Sequence, residues 1–285
     1  MSDNITFIGV GAIGLPVAAR IAEAGHRVTG VDPRPEAAER AAGTRIESMV
    51  TNMSEVDELA TVVVMVATPT QLTGLVDDAL ERDLNGSGWI IMSTVGPDSV
   101  RTEADRLQAA GAMVIDSPVF GDIPGTGTGS LTLFTSGALS DIEALGDVLD
   151  AVGPRNVVGE RIGEGQAFKL VNQHLCAIHI AAAAEALNLA DRMGLDPEKA
   201  LRAVENGGAG SRMLSDRGPR MLALGQIEVH NSIGIFVKDA GMVVHTGHRC
   251  RAQVPLAEAA NQRYRLAADM DLLTEDDSQV IRTYR

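Results

Sequence analysis

Residues 5–32 read ITFIGVGAIGLPVAARIAEAGHRVTGVD. An apolar run leads into the pattern GVGAIG at residues 9–14, an amphipathic stretch follows, and a second apolar run ends at Asp32. A GxGxxG pattern between a strand and a helix, with an acidic residue about twenty positions further on, is typical of the Rossmann βαβ unit that binds a dinucleotide. We expect the phosphates to be held at the positive N-terminal end of the helix by Gly9, Gly11, Ala12, Ile13 and Gly14.

The end of the second apolar run bears on the choice between NAD and NADP. The carboxylate of Asp32 is placed to bond the adenosine ribose hydroxyls, and it repels the 2′-phosphate of NADP. Arg34 either offsets that repulsion or is a solvated residue at the start of the next helix. The sequence therefore favours NAD as the cofactor, with NADP as the alternative.

The first half of the chain alternates short apolar runs with amphipathic stretches. Strands are predicted at residues 5–10, 28–31, 61–67, 89–93, 112–116 and 131–135, with a last short strand near Val157. Helices are predicted between them, for example at residues 15–24, 72–80 and 99–109. This alternation predicts an α/β fold of the Rossmann type, with a doubly wound, mainly parallel sheet and right-handed crossovers.

The pattern changes at Gly163, after which only helical patterns follow. A long helix is predicted over residues 166–192, and the glycines beyond it separate shorter helices. We therefore predict two domains, a dinucleotide-binding domain at residues 1–162 and an all-helical domain at residues 163–285. The polar residues from Asp276 onward are expected to form a tail.

Composition limits the partners. The chain of 285 residues has a formal net charge of -14 and two cysteines. Because an acidic protein repels phosphates, neither nucleic acid nor a membrane surface is expected as a partner. Two cysteines imply no disulfide framework, and the N-terminus lacks the basic segment of a secretion signal, so we expect a cytoplasmic protein. No spacing of histidines and carboxylates predicts a metal site.

A second motif, DSPVFGD at residues 116–122, follows a predicted strand. Further glycines at positions 125, 127 and 129 make the segment after it a glycine-rich loop. Parallel α/β sheets place their ligands at the carboxyl ends of the strands, so this segment is either a ligand-binding loop or an ordinary connection.

A third motif, GEGQAFK at residues 163–169, leads into the long helix. Near a helix N-terminus, and buried between two domains, the amine of Lys169 is expected to have a pKa below its usual value of about 10.4. A neutral lysine is a competent base for an alcohol proton, and its ammonium is the matching acid for the reverse reaction. The alternative is an ordinary lysine on the surface of a helix.

Together with KDAG at residues 238–241 and the pair Ser93-Thr94, these motifs resemble the β-hydroxyacid dehydrogenase family, which includes enzymes of the 3-hydroxyisobutyrate dehydrogenase type. The resemblance covers nearly the whole chain. Residues 172–185 and 235–239 are most similar to members that act on four-carbon sugar acids such as threonate. A small anionic hydroxy acid is the substrate that the resemblance implies.

The resemblance also implies roles for individual residues. Lys169 would be the catalytic acid/base. The dinucleotide would be contacted by Thr94, Lys238 and the backbone at Val66 and Ala67. The substrate would be contacted by Ser117, Phe120, Gly121, Asp122, Gln173 and Arg212. The helical domain would bind substrate and join subunits through the long helix, as a homodimer or a homotetramer.

Three positions depart from the family pattern. Phe120 replaces the usual serine that helps to hold the substrate carboxylate, Asp122 replaces a glycine, and Arg212 stands where tryptophan is common. One interpretation is that Arg212 now binds the carboxylate, since arginine can bind it bidentately. The alternatives are that Arg212 pairs with Asp216 four residues on, or that Phe120 makes the pocket apolar for a larger substrate.

The sequence thus predicts an oxidoreductase that transfers hydride between the hydroxyl carbon of a small hydroxy acid and NAD. An alternative is an NADPH-dependent reductase of an aldehyde or an imine on the same fold. A second alternative is a non-catalytic dinucleotide-binding protein. The acid at Asp32 disfavours the first alternative, and the presence of Lys169 disfavours the second.

Overall fold

The computed structural model describes residues 4–121, 131–223 and 227–285. The chain forms two compact units, Met1–Lys169 and Leu170–Arg285. The boundary predicted from the sequence, after residue 162, lies a few residues before the junction of these units.

The first unit is built on one mixed sheet. Its strands within the described residues are β1 Asn4–Ile8, β2 Arg27–Val31, β3 Ser48–Val50, β4 Thr61–Val64, β5 Gly88–Ile91, β6 Met113–Asp116, β7 Val119–Phe120, β8 Thr132–Ser136 and β9 Arg155–Gly159. Their order is β3-β2-β1-β4-β5-β6-β8-β7, and β9 pairs with β8. All pairings are parallel except those of β8 with β6 and β7, which are antiparallel. The predicted α/β class and the mainly parallel sheet are confirmed.

Helices cover both faces of this sheet. They are α1 Gly14–Glu23, α2 Pro35–Ala41, α3 Pro69–Ala79, α4 Pro97–Ala109, α5 Leu139–Ala144 and α6 Gly146–Val152. Successive residues of β4 belong to different apolar clusters: Val63 packs with α1 and α6, and Val62 packs with α3 and α4. A strand buried on both faces reads as a continuous apolar run, which is why these strands were visible in the sequence.

Three predicted strands, at residues 5–10, 61–67 and 89–93, extend beyond their observed carboxyl ends. The prediction for residues 5–10 passes through Gly9, whose φ of 96° turns the chain away after Ile8. The prediction for residues 61–67 includes Ala67, whose N–H donates to Gln71 Oε1. Gln71 belongs to the capping box at the start of α3, so Ala67 is part of the approach to that helix and not of the strand. Strands β3 and β7 were not predicted, because two or three residues give too short a pattern to detect.

The second unit is helical. The long helix α7, Glu164–Arg192, begins in the first unit and continues into the second. The other elements are α8 Pro197–Val204, α9 Arg212–Leu222, α10 Ile233–Arg249, α11 Pro255–Asp269 and a 3-10 helix at Asp277–Tyr284. Their core includes Leu187, Phe236 and Tyr264. Among the helices of the described segments, none combines the length and the apolar character needed to cross a membrane.

The prediction of a polar tail from Asp276 is wrong. This segment forms the C-terminal 3-10 helix, and the side chains of Asp276 and Asp277 are fully buried. Asp276 accepts a hydrogen bond from Arg220 Nε at 3.0 Å, and Asp277 accepts one from Arg217 Nη2 at 3.0 Å. Acidic residues can be buried when such partners neutralise them, and the partners lie more than fifty positions away in the sequence.

Candidate active site

The loop between β1 and α1 is shaped to receive a phosphate group. A Cβ atom on Gly9 would lie 2.3 Å from Met65 O, and one on Gly14 would lie 1.9 Å from Gly9 O, so neither position accepts a side chain. Helix α1 starts at Gly14 with no side-chain cap within the described residues, and it has no acidic residue in its first turn. In the first turn Leu15 N donates to Gly11 O and Pro16 carries no N–H, so an anion would be held by the N–H groups of the loop before Leu15 and by the positive end of the helix. The glycine cradle fits a dinucleotide pyrophosphate in this position.

Asp32 and Arg34 form a close ion pair at the end of β2. The two oxygens of the buried Asp32 carboxylate accept hydrogen bonds from Arg34 Nε at 2.8 Å and from Arg34 Nη2 at 2.7 Å. Burial alone raises the pKa of Asp32, but the hydrogen bonds from Arg34 outweigh this effect and hold the pKa below its usual value. The guanidinium also reaches the phosphate loop, since Arg34 Nη2 lies 3.5 Å from where a Cβ on Gly11 would stand. The structure thus joins two residues that the sequence presented separately.

The other residues predicted to contact the dinucleotide in this unit follow the neighbouring strands β4 and β5. Val66 is half-buried and Ala67 is exposed just beyond β4, and Thr94 is half-buried just beyond β5. The carboxyl ends of parallel strands lie at the same edge of a sheet. Because β1, β4 and β5 are adjacent, this edge also carries Gly9 and its loop.

Lys169 and Phe120 lie close together at the start of α7. The side chain of Lys169 is 8% exposed, and its Nζ is 5.8 Å from the centroid of the Phe120 ring. An ammonium group at this distance is attracted by the face of an aromatic ring. The Phe120 ring also stacks on Phe134, with 6.3 Å between centroids. The residue that departs from the family serine therefore packs against the predicted acid/base.

The remaining predicted residues of the substrate loop differ in how open they are. Ser117 is buried, its hydroxyl is 2.9 Å from that of Thr135, and its N–H donates to Ile91 O. Gly121 is exposed and has a φ of 147°, a backbone conformation that favours glycine. Asp122 lies outside the described residues.

Asp116 and Gln166 are buried residues of the motifs for which no role is predicted from the sequence. The Asp116 carboxylate accepts hydrogen bonds from Gln166 Nε2 at 2.8 Å and from Gln166 N at 2.9 Å. Burial raises the pKa of Asp116 to about 6, although these hydrogen bonds act in the opposite direction. The raised pKa of Asp116 could not be predicted from the sequence, because it results from the burial of this carboxyl group in the folded protein.

In the second unit, Gln173 is part of a buried polar chain. Gln173 Nε2 donates to Asp239 Oδ2 at 2.6 Å, and Gln173 Oε1 accepts from Asn172 at 3.0 Å. The partly exposed Lys238 lies 3.0 Å from the other oxygen of Asp239, measured from Nζ to Oδ1. Asp239 thus links the two predicted site residues Gln173 and Lys238, and no role for Asp239 is predicted from the sequence.

Arg212 is exposed at the first position of α9, after the N-cap Ser211. The predicted alternative pairing of Arg212 with Asp216 is not formed, since Asp216 pairs with Arg217 and Arg220 instead. Among the residues that the structure describes, no ion pair of Arg212 is found. A cation at a helix N-terminus is unfavourable unless an anion accompanies it.

Both halves of the chain match NAD-binding domains of known dehydrogenases. Residues 4–163 match the NAD binding domain of 6-phosphogluconate dehydrogenase, and residues 163–284 match the NAD-binding domain of NADP-dependent 3-hydroxyisobutyrate dehydrogenase. An L-threonate dehydrogenase from Cupriavidus necator is 34% identical over 288 residues, which cover 100% of this chain and 97% of that protein.

Solved structures agree with the sequence relatives. The 3-hydroxyisobutyrate dehydrogenase of Salmonella typhimurium superposes with a TM-score of 0.89 at 27% identity, over 99% of each chain. The enzyme of the same name from Mycobacterium tuberculosis, solved with L-serine, gives 0.86 at 26% identity over 100% of each chain. The chain is a hydroxyacid dehydrogenase with NAD(P)-binding domains, and it belongs to the β-hydroxyacid dehydrogenase family, of the 3-hydroxyisobutyrate dehydrogenase type.

Proposed function

We propose that this dehydrogenase oxidises the hydroxyl of a small hydroxy acid with NAD and that Lys169 is its acid/base. The first candidate substrate is a four-carbon sugar acid such as L-threonate, and the second is a 3-hydroxy acid of the 3-hydroxyisobutyrate type. The observation that carries the proposal is the buried Lys169 amine at the start of α7, against Phe120 of the substrate motif. The L-threonate dehydrogenase relative at 34% identity supports the choice of substrate.

The proposed residues divide the chemistry simply. NAD, when bound, supplies the acceptor for the hydride that leaves the hydroxyl carbon. The glycine loop holds its pyrophosphate, and Asp32 holds the adenosine ribose. Lys169, as the neutral amine, takes the hydroxyl proton at Nζ, and in the reverse direction its ammonium returns that proton. Thr94, Lys238 and the backbone at Val66 and Ala67 complete the proposed dinucleotide contacts.

A substrate panel tests the proposal. Purified protein is mixed with NAD or NADP and with L-threonate, related four-carbon acids, 3-hydroxyisobutyrate or L-serine, and the absorbance of the reduced nicotinamide is followed. We expect the highest kcat/KM with NAD and a four-carbon acid. NADPH-dependent reduction of an aldehyde or an imine, with no oxidation of any hydroxy acid, would favour the alternative reductase instead.

Cofactor choice gives a separate prediction. Asp32→Ser removes the carboxylate that repels a 2′-phosphate and releases Arg34 from its ion pair, so Arg34 can bind that phosphate. We expect the ratio of kcat/KM for NADP to that for NAD to rise at least about tenfold, the equivalent of 1.4 kcal/mol. A native enzyme that already prefers NADP tenfold would contradict the assignment of Asp32. Arg27→Ser, at the other end of β2, is the control.

Recognition of the substrate carboxylate is proposed to rest on Arg212, with Ser117, Phe120, Gly121, Asp122 and Gln173 as the other proposed substrate contacts. The exposed guanidinium of Arg212 at the N-terminus of α9 supports this proposal. Arg212→Ala is expected to raise KM for the acid at least about tenfold, because a bidentate charge-assisted bond is lost. KM for an uncharged alcohol analogue should hardly change. Equal effects on both substrates would show that Arg212 does not bind the carboxylate.

We also propose that the subunits form a homodimer or a homotetramer through the second unit. Large apolar side chains are exposed along α7, namely Val171, Leu175 and Leu189, and the exposed Met193 follows directly after its end. Exposed apolar side chains of this size along one helix are typical of a protein–protein interface. Sedimentation velocity tests the proposal, and a purely monomeric native protein at micromolar concentration would contradict it.

A further inference from the structure

We infer that Gln166, acting with Asp116, is a positioning residue that fixes the acid/base Lys169 relative to the loops on either side of it. The inference rests on the proposed role of Lys169. It concerns contacts that lie wholly within the first unit.

The first step is that Asp116 caps α7 from a distant part of the chain. Its Oδ2 accepts from Gly163 N at 3.1 Å and from Gln166 N at 2.9 Å, both at the start of the helix. Ser136, at the end of β8, accepts from Gly165 N at 2.9 Å. The first N–H groups of a helix have no partners within the helix. Here the ends of β6 and β8 supply the partners, so the start of α7 is tied to the sheet.

The second step is that every donor and acceptor of the Gln166 side-chain amide has a hydrogen-bond partner. Its Oε1 accepts from Val95 N and from Gly96 N, each at 3.0 Å. Its Nε2 donates to Ser93 O at 2.9 Å and to Asp116 Oδ1 at 2.8 Å. A primary amide has two donor hydrogens and two acceptor lone pairs, and all four are engaged. Gln166 itself is 1% exposed.

These bonds connect three segments of the proposed site. Gln166 binds the residues on both sides of Thr94, which is proposed to contact the dinucleotide. Asp116 is the first residue of the substrate motif, and Phe120 of that motif packs on Lys169. Lys169 itself is three residues, about one helical turn, beyond Gln166. The buried amide of Gln166 therefore fixes the position of Lys169 relative to residues 93–96, which include Thr94, and relative to the substrate motif at residues 116–122.

A proton transfer depends on such placement, because a shift of about 1 Å can cost on the order of a hundredfold in rate. Methionine matches the length of glutamine and makes none of its hydrogen bonds. Gln166→Met is therefore expected to lower kcat about ten- to a hundredfold at saturating NAD and substrate, with smaller changes in both KM values. This split separates positioning from a loss of binding.

The control removes buried hydrogen bonds just before the other end of β5, where the Ser87 hydroxyl also donates to Leu84 O. Ser87 is 5% exposed before β5, at the end opposite to the site, and its hydroxyl accepts from Trp89 Nε1 at 3.1 Å. Ser87→Ala is expected to lower Tm by several degrees and to leave kcat within twofold of native. If Gln166→Met fails to fold, Ser136→Ala is the milder variant, since it removes one hydroxyl of the cap and is expected to lower kcat about three- to tenfold.

The outcomes separate this inference from the proposed function. An active Lys169→Met variant overturns the acid/base assignment and the inference with it. An inactive Lys169→Met beside a Gln166→Met variant with native kcat overturns the inference alone, as does an equal fall of kcat in Ser87→Ala. A native kcat in Ser136→Ala overturns it where Gln166→Met does not fold.

Discussion

Lys169→Met should lower kcat for oxidation of the hydroxy acid by a hundredfold or more. The reason is that a positioned side chain that accepts the hydroxyl proton contributes about 10²–10⁴ in rate. Methionine keeps a stem of four heavy atoms without the amine, so the volume of the buried side chain is largely kept while the contact of Nζ with the Phe120 ring is lost. The dissociation constant of NADH, measured by its fluorescence, is expected to change by less than about threefold, since the dinucleotide is held by other residues.

The sequence provides a close control for this variant. Only three lysines occur in the chain, at positions 169, 199 and 238. Lys199 has a side chain that is 78% exposed on α8, so Lys199→Met changes the same functional group away from the proposed site. Lys169→Arg adds a second test, because an arginine stays protonated and cannot act as the base. Near-native kcat in Lys169→Met or Lys169→Arg would show that another group takes the proton.

Asp277→Ala should destabilise the second unit by about 3–5 kcal/mol, which corresponds to a fall in Tm of about 10–20 °C. The substitution removes the fully buried carboxylate that Arg217, which is 6% exposed, contacts at 3.0–3.3 Å, and it leaves the more exposed Asp216 as the partner of this guanidinium. A buried charge that loses its partner costs far more than the pair itself contributes. Burial raises the pKa of Asp277, and the adjacent Arg217 opposes that rise.

Differential scanning calorimetry measures this effect. Asp271→Asn is the matched control, because Asp271 is exposed and its φ of 60° suits asparagine as well as aspartate. The control should change Tm by no more than about 2 °C. An Asp277→Ala protein with native Tm would mean that the C-terminal 3-10 helix is not part of the stable fold, and the prediction of a tail would then be correct after all.

The buried strands and the phosphate loop could be predicted because each leaves a pattern in a short stretch of sequence. Strands such as β4 were predicted because both of their faces are buried, which makes every residue of β4 after Thr61 apolar. The phosphate loop was predicted because glycine is the only residue that fits at Gly9 and Gly14. Both signals are local in the sequence.

Features that depend on distant partners were missed. The C-terminal residues Asp276 and Asp277 have the composition of a solvated tail, and their ion pairs with the distant Arg217 and Arg220 help to make their burial favourable. Likewise, the role of Gln166 could not be predicted, because its partners Ser93 and Val95 lie about seventy positions earlier in the sequence. A spacing rule could have singled out Gln166, because it lies one helical turn before the proposed acid/base.

The most direct test of the account follows the hydrogen atom that is transferred. The panel substrate with the highest kcat/KM is prepared with deuterium on the carbon that bears the reacting hydroxyl, and the reduced cofactor is analysed by mass spectrometry. The account predicts one deuterium on the nicotinamide ring of NADH per molecule oxidised, with this product lost in Lys169→Met. Reduced cofactor without deuterium, or no reduction of NAD by any hydroxy acid, would contradict hydride transfer from the hydroxyl carbon.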